Sequence, residues 1–235
     1  MDNMVKNNII AIIPARGGSR RIPKKNIVDL GGKPMISWTI EAALNSKYIS
    51  KVIVSTDDEE IAAVSKSAGA EVPFLRDRNA DDHSPISLAT IRTLHQMEEV
   101  NITKPEIVVQ LMANCPLRRT EDIDNALENF IVAKNNFQIS SFKYGWMNPW
   151  WAHRIEPNGV ATPVFKEEER MKRSQDLPEL YCPTGAIWIA RTSKLLESQT
   201  FYGPEYTFFP LHWIQAIDID ENDDLEMAKF FLNRK

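Results

Sequence analysis

The chain has 235 residues, with 28 Lys and Arg against 32 Asp and Glu, 43% apolar residues and a net charge of −4. This is ordinary globular composition, and a chain of this length can form one α/β domain with a substantial core. The mild acidity argues against a dedicated nucleic-acid binder, which carries a basic excess. No apolar run reaches the roughly 18–20 residues of a membrane span. The stretch Ile9–Ile13 stops at Pro14, too short for a secretory signal. Cys115 and Cys182 are the two cysteines; they form no CxxC, which argues against a disulfide framework and for a cytoplasmic location.

In chain order, Ile9–Pro14 reads as a buried strand, followed by a Gly/Pro/basic segment. Ile36, Ile40, Ala43 and Leu44 then mark a helix face. Lys51–Thr56 is a second strand closed by Asp57 and Asp58, and Ile61, Val64 and Ala68 line a helix that ends at Gly69. Glu71–Arg76 reads as a third strand. Ser84-Pro85 is an N-cap and N1 pair for a helix through Val100. Glu106–Met112 is a fourth strand, and Thr120 with Glu121 and Asp122 opens the next helix. In the second half Gln138–Lys143, Tyr181–Ala190 and Ile214–Asp218 read as strands, and Leu225, Ala228 and Leu232 mark a last helix. The expectation is a single α/β domain over residues 1–235, with a mostly parallel Rossmann-like sheet and helices on both faces. A protruding arm is expected at about 142–178. Ligands on such a sheet bind beyond the carboxyl ends of the strands.

At the first of those ends, the segment from Pro14 to Asn26 packs Arg16, Arg20, Arg21, Lys24 and Lys25 around Gly17 and Gly18. Glycines let backbone N–H groups turn toward an anion, and the cations offset a polyphosphate. The loop is neither a Walker A loop nor a GxGxxG fingerprint. Arg76, at a strand end, suits recognition of base acceptors; Asp82 and Ser84 lie in the loop after it, where Ser84 equally serves as a helix cap. Asp218-Ile219-Asp220 alternates acid and apolar, so a continuing strand places both carboxylates on one face, a donor set for Mg²⁺. The competing reading has Asp220 or Asn222 capping the last helix. Trp146, Trp150 and Trp151 form an aromatic loop suited to an acyl group or to subunit packing.

IIPARGGSRRIPKKN, GGKPMISWTIEAA, VIVSTDDEEIA, AEVPFLR, CPLRRTEDID, PTGAIWIA and AIDIDENDD, in this order, resemble the acylneuraminate cytidylyltransferases, the CMP-sialic acid synthetase family. The resemblance runs from Ile9 to about Asp224 and implies a nucleotidyltransferase fold with a dimerisation arm. It implies that the anomeric hydroxyl of a 2-keto sugar acid attacks the α-phosphate of CTP, with Mg²⁺ (or Mn²⁺) as cofactor and pyrophosphate as leaving group. A homodimer that uses neither nucleic acid nor membrane follows from it. By the same resemblance Arg16, Gly17, Ser19, Arg20 and Lys25 bind phosphates, with Arg16 and Lys25 meeting transition-state charge. Asn26, Arg76, Asp82 and Ser84 contact the nucleoside, and Asp218 and Asp220 hold the metal, Asp218 also being the candidate base. Gln110, Met112, Arg173 and Tyr181 are the candidates for the sugar site. Met112 stands where the family has glutamine, Trp188 where it has tyrosine, and Arg21 where many relatives have glycine. A Met-lined pocket suits a less polar acceptor, a deoxy, di-N-acylated acid of the legionaminic or pseudaminic type. The alternatives are a 3-deoxy-manno-octulosonate cytidylyltransferase, a transferase using UTP or GTP, and a non-catalytic sugar-nucleotide binding protein.

Overall fold

The computed structural model describes residues 9–76, 85–166 and 172–234. Six strands form one sheet in the order β2-β1-β3-β7-β4-β8. They are β1 (Ile9–Pro14), β2 (Lys51–Ser55), β3 (Ile107–Gln110), β4 (Phe137–Lys143), β7 (Tyr181–Arg191) and β8 (Thr207–Leu211). The β1–β2, β1–β3 and β4–β8 pairs are parallel, whereas β7 runs antiparallel to both β3 and β4. The sheet is therefore mixed, with one reversed strand in its middle.

The period-two alternation of β1 sorts the core. Ile9, Ala11 and Ile13 face α1 (Met35–Leu44), α2 (Glu59–Ser67) and α4 (Thr120–Val132). Ile10 and Ile12 face α3 (Ile86–Glu99) and α5 (Thr192–Ser198) on the other side. Each fully buried isoleucine contributes about 1.5–3 kcal/mol from apolar area removed from water. A third cluster carries the site: Ile22 of the basic loop packs with Ile217, Ile219 and Leu225, the last on α6 (Asn222–Leu232). Apolar contact thus draws together two segments some 195 residues apart in the chain. No described helix is long and apolar enough to cross a membrane.

Four expected elements are corrected. Glu71–Arg76 forms a single bridge, Ile53 to Glu71, rather than a strand; Pro73 lacks the N–H to continue the ladder. Ile214–Asp218 is a run of turns, with Gln215 N–H donating to His212 O and Ala216 N–H to Trp213 O. The strand lies just before it, as β8, where Pro210 is tolerated because the strand is at the sheet edge. The helix expected from Pro85 begins at Ile86, and Pro85 takes the cap position instead of N1. Leu44 ends α1 exposed. The remaining strand ends shift by one or two residues, and Gly69 at φ 96° takes the left-handed position after α2. In the arm region, β5 (His153–Ile155) and β6 (Ala161–Pro163) form a separate exposed two-stranded hairpin.

Candidate active site

A cavity of about 1100 Å³ opens at the carboxyl ends of β1 and β3. Arg16, Ser19, Arg20, Lys25 and Asn26 line it from the basic loop. Arg76, Met112 and the pair Asp218 and Asp220 line it from three other segments, and α3 adds a further wall that includes Arg92 and His95. Nine residues singled out from sequence therefore meet at one place.

The loop is built for rigidity at its base. Gly17 N–H donates to Asp57 Oδ1 at 2.9 Å, and a methyl group on Gly17 would come within 2.6 Å of Asp58 Oδ2. Gly17 is thus needed for close approach to the end of β2. Its N–H, expected to face a phosphate, is already engaged and does not line the cavity. Asp58 in turn caps α2 through the N–H groups of Glu60 and Ile61. Buried Asn26 donates from Nδ2 to Arg16 O at 2.9 Å, which pins the loop across its own width.

From the loop, Lys25 Nζ reaches the facing segment and donates to Asp220 Oδ1 at 2.8 Å and to Ile219 O at 2.9 Å. Arg21 Nη2 lies 2.8 Å from Asp220 Oδ2. Burial alone would raise the Asp220 carboxyl, but the Lys25 and Arg21 charges outweigh it and hold the group below the usual range. Asp218 goes the other way: burial, then the Asp220 charge, push it up to about 6, against the opposing pull of Lys25 and Asn114. Asp220 does not cap α6. Glu221 holds that position, and Asp224 Oδ2 accepts from the N–H groups of Asp220 and Glu221. The two aspartates come together through this loop rather than through strand alternation.

Sequence reasoning missed Asn114. Its carbonyl accepts from Ile219 N–H at 2.8 Å and its Nδ2 donates to Asp218 Oδ1, so it brackets the Asp218–Asp220 segment. Its own Oδ1 is buried without a partner. Among the described residues no group of three His, Cys, Asp or Glu gathers for a metal. Two carboxylates with an unpaired amide oxygen beside them nevertheless fit Mg²⁺, which takes few protein oxygens and completes its shell with phosphates and water. Only the spacing of Asn114 one residue before CPLR offered a signal, and that spacing is silent about what the side chain touches.

Arg76 is buried, its Nε has no partner, and burial lowers its pKa while the Asp57 charge opposes the shift. A buried guanidinium N–H without a partner is costly and is satisfied by a ligand with acceptors. Asp82 and Ser84 lie outside the described residues. On the acceptor side the outcome differs. Met112 lines the cavity, with its Cγ only 2.7 Å from where a Cβ on Gly185 would sit. Gln110 does not reach it: fully buried, it accepts from Thr90 Oγ1 at 2.6 Å on the α3 side of the sheet. Arg173 is tied locally to Asp176 at 2.7 Å, and Tyr181 donates to Glu179 at 3.0 Å; neither lines the cavity of its own chain. Trp188 likewise turns away, donating to Thr184 O and packing on Phe201 and Tyr202.

The cytidylyltransferase family model matches residues 10–201. The chain is 37% identical over 220 residues to the pseudaminic acid cytidylyltransferase of Campylobacter jejuni, covering 94% of each. It is 33% identical over 226 residues to the CMP-N,N'-diacetyllegionaminic acid synthase of Legionella pneumophila, again with 94% of each covered. Among solved structures it resembles a CMP:2-keto-3-deoxy-manno-octonic acid synthetase complexed with CTP, with a TM-score of 0.71 over 97% of this chain and 99% of that one. At 18% identity that likeness establishes the mixed α/β nucleotidyltransferase fold alone. The chain belongs to the cytidylyltransferase family, in its acylneuraminate, pseudaminic and legionaminic acid branch.

Proposed function

We propose that the chain transfers CMP from CTP to the anomeric hydroxyl of a deoxy, di-N-acylated nonulosonic acid of the pseudaminic or legionaminic type. The observation that carries the reaction is the single cavity wall shared by the basic loop and the Asp218–Asp220 pair. Arg16, Arg20 and Lys25 supply positive charge to a triphosphate, and Arg76 donates to the cytosine acceptors. The sugar oxygen forms a bond to the α-phosphorus in line with the pyrophosphate oxygen, whose bond breaks and which leaves with its electron pair. Asp218 is the candidate to take the hydroxyl proton. Mg²⁺ (or Mn²⁺), with Asp218 and Asp220 as its protein ligands, would offset phosphate charge and polarise the α-phosphate.

The choice of acceptor rests on Met112. A thioether offers dispersion contact but no strong hydrogen bond, so it favours apolar acyl and deoxy positions over hydroxyls. The 37% and 33% identities to pseudaminic and legionaminic acid enzymes support the same choice. We further propose a homodimer through the arm, because Trp146 is 83% and Ile155 81% exposed there. The test is pyrophosphate release with CTP, UTP and GTP, with and without Mg²⁺, across a panel of keto sugar acids. Release with CTP and Mg²⁺ and a di-N-acylated acid is expected. Preference for 3-deoxy-manno-octulosonate, or release with UTP but not CTP, contradicts the assignment. CTP binding without release from any acid favours a non-catalytic binding protein.

A further inference from the structure

We infer that Arg21 couples CTP binding to cation binding by occupying Asp220 until the triphosphate draws it away. The inference rests on the cation role of Asp218 and Asp220 proposed above. The two aspartates are differently prepared. Asp218 accepts from a neutral amide, that of Asn114. Asp220 has a cation on each oxygen, Lys25 on Oδ1 and Arg21 on Oδ2, both at 2.8 Å. Its N–H is held by Asp224 Oδ2, so the segment that carries it is anchored. These two cations offset the negative charge that a divalent ion would meet at Asp220, so withdrawal of either one favours the ion.

Exposure decides which one moves. The Lys25 side chain is 16% exposed and is anchored a second time on Ile219 O. The Arg21 side chain is 58% exposed, and its second carboxylate neighbour, Glu221, lies at 3.8 Å. Exposed ion pairs of this kind hold weakly and exchange readily. Arg21 also lines the cavity beside Arg20, within the loop that receives the phosphates. A triphosphate offers it a denser anion than Asp220 does, and a planar guanidinium suits phosphate geometry. Arg21 is thus a positioning residue: it screens Asp220 in the nucleotide-free chain and joins the phosphate site once CTP arrives.

The test uses equilibrium binding to the full chain without sugar acid, so that no turnover occurs. Mn²⁺ is titrated into the nucleotide-free protein, and CTP is titrated in EDTA. For Arg21→Gln the coupling predicts Mn²⁺ binding about threefold tighter and CTP binding about threefold weaker, the scale of one exposed ion pair. Arg21→Lys retains the charge and is expected to restore both affinities toward the starting protein. A purely structural role would weaken both ligands together. Shifts in the same direction, or no shift in either, overturn the inference. Failure of the underlying reaction reads separately, as absence of pyrophosphate release from the unsubstituted protein with Mg²⁺.

Discussion

The two ends of the cavity are built from opposite materials. At the end lined by the basic loop, charged groups are paired within the fold: Lys25 and Arg21 with Asp220, and Asn114 with Asp218. At the proposed acceptor end Met112 stands against Gly185, and Arg173 and Tyr181 are occupied outside the cavity. The contrast matches two tasks. Phosphate chemistry is served by fixed charges that need no reorganisation at the moment of reaction. A thioether beside a proposed sugar site contributes by shape and dispersion, which shifts preference among acceptors by a modest factor.

The largest expected effect comes from emptying the charged end. Lys25→Ala removes the cation that pairs with Asp220 and that is proposed to meet the triphosphate, and kcat/KM for pyrophosphate release is expected to fall by about 10²–10³-fold. Chelation by EDTA should bring release to background, with recovery on adding excess Mg²⁺; release that persists in EDTA would remove the metal from the account. Ile219→Ala attacks the same end through packing, since Ile219 is fully buried beneath the pair it separates. A loss of about 2–4 kcal/mol in denaturant unfolding is expected. Turnover that survives with an unchanged Mg²⁺ requirement would show that this packing does not position the carboxylates.

Smaller effects sharpen the division between the ends. Arg76→Lys keeps the charge but loses the planar fork, and the CTP-over-UTP ratio of kcat/KM is expected to drop about tenfold, the weight of one buried hydrogen bond to a charged group. Acceptor preference should stay where it was. Met112→Gln is the mirror test: the ratio between a di-N-acylated deoxy acid and N-acetylneuraminate is expected to shift about tenfold toward the latter, with KM for CTP unchanged. If Met112→Gln altered CTP and left the acceptor ratio alone, the assignment of the two ends would be reversed.

The charged end was largely legible in the sequence because its residues cluster along the chain. Five basic residues in one loop and an acid-apolar-acid run need no tertiary information to be noticed. What that reading lacked was the partner of each group. The engagement of Gly17 N–H by Asp57 spans 40 residues, and the bracket from Asn114 to Asp218 spans 104; no local pattern carries either. The β1–α1–β2–α2 half was readable from its alternating periodicities. The strand expected at Ile214–Asp218 went wrong because Pro210 obscured the edge strand preceding it. Gln110 misled for another reason. It is the last residue of β3, and its side chain turns to Thr90 on the α3 side of the sheet instead of to the cavity.

The most direct measurement is a competition. Equimolar pseudaminic-type acid and N-acetylneuraminate are given to the protein with limiting CTP and Mg²⁺, and the two CMP-sugars are counted by mass. Our account predicts that the CMP-linked deoxy, di-N-acylated sugar dominates. A mixture dominated by CMP-N-acetylneuraminate would contradict it.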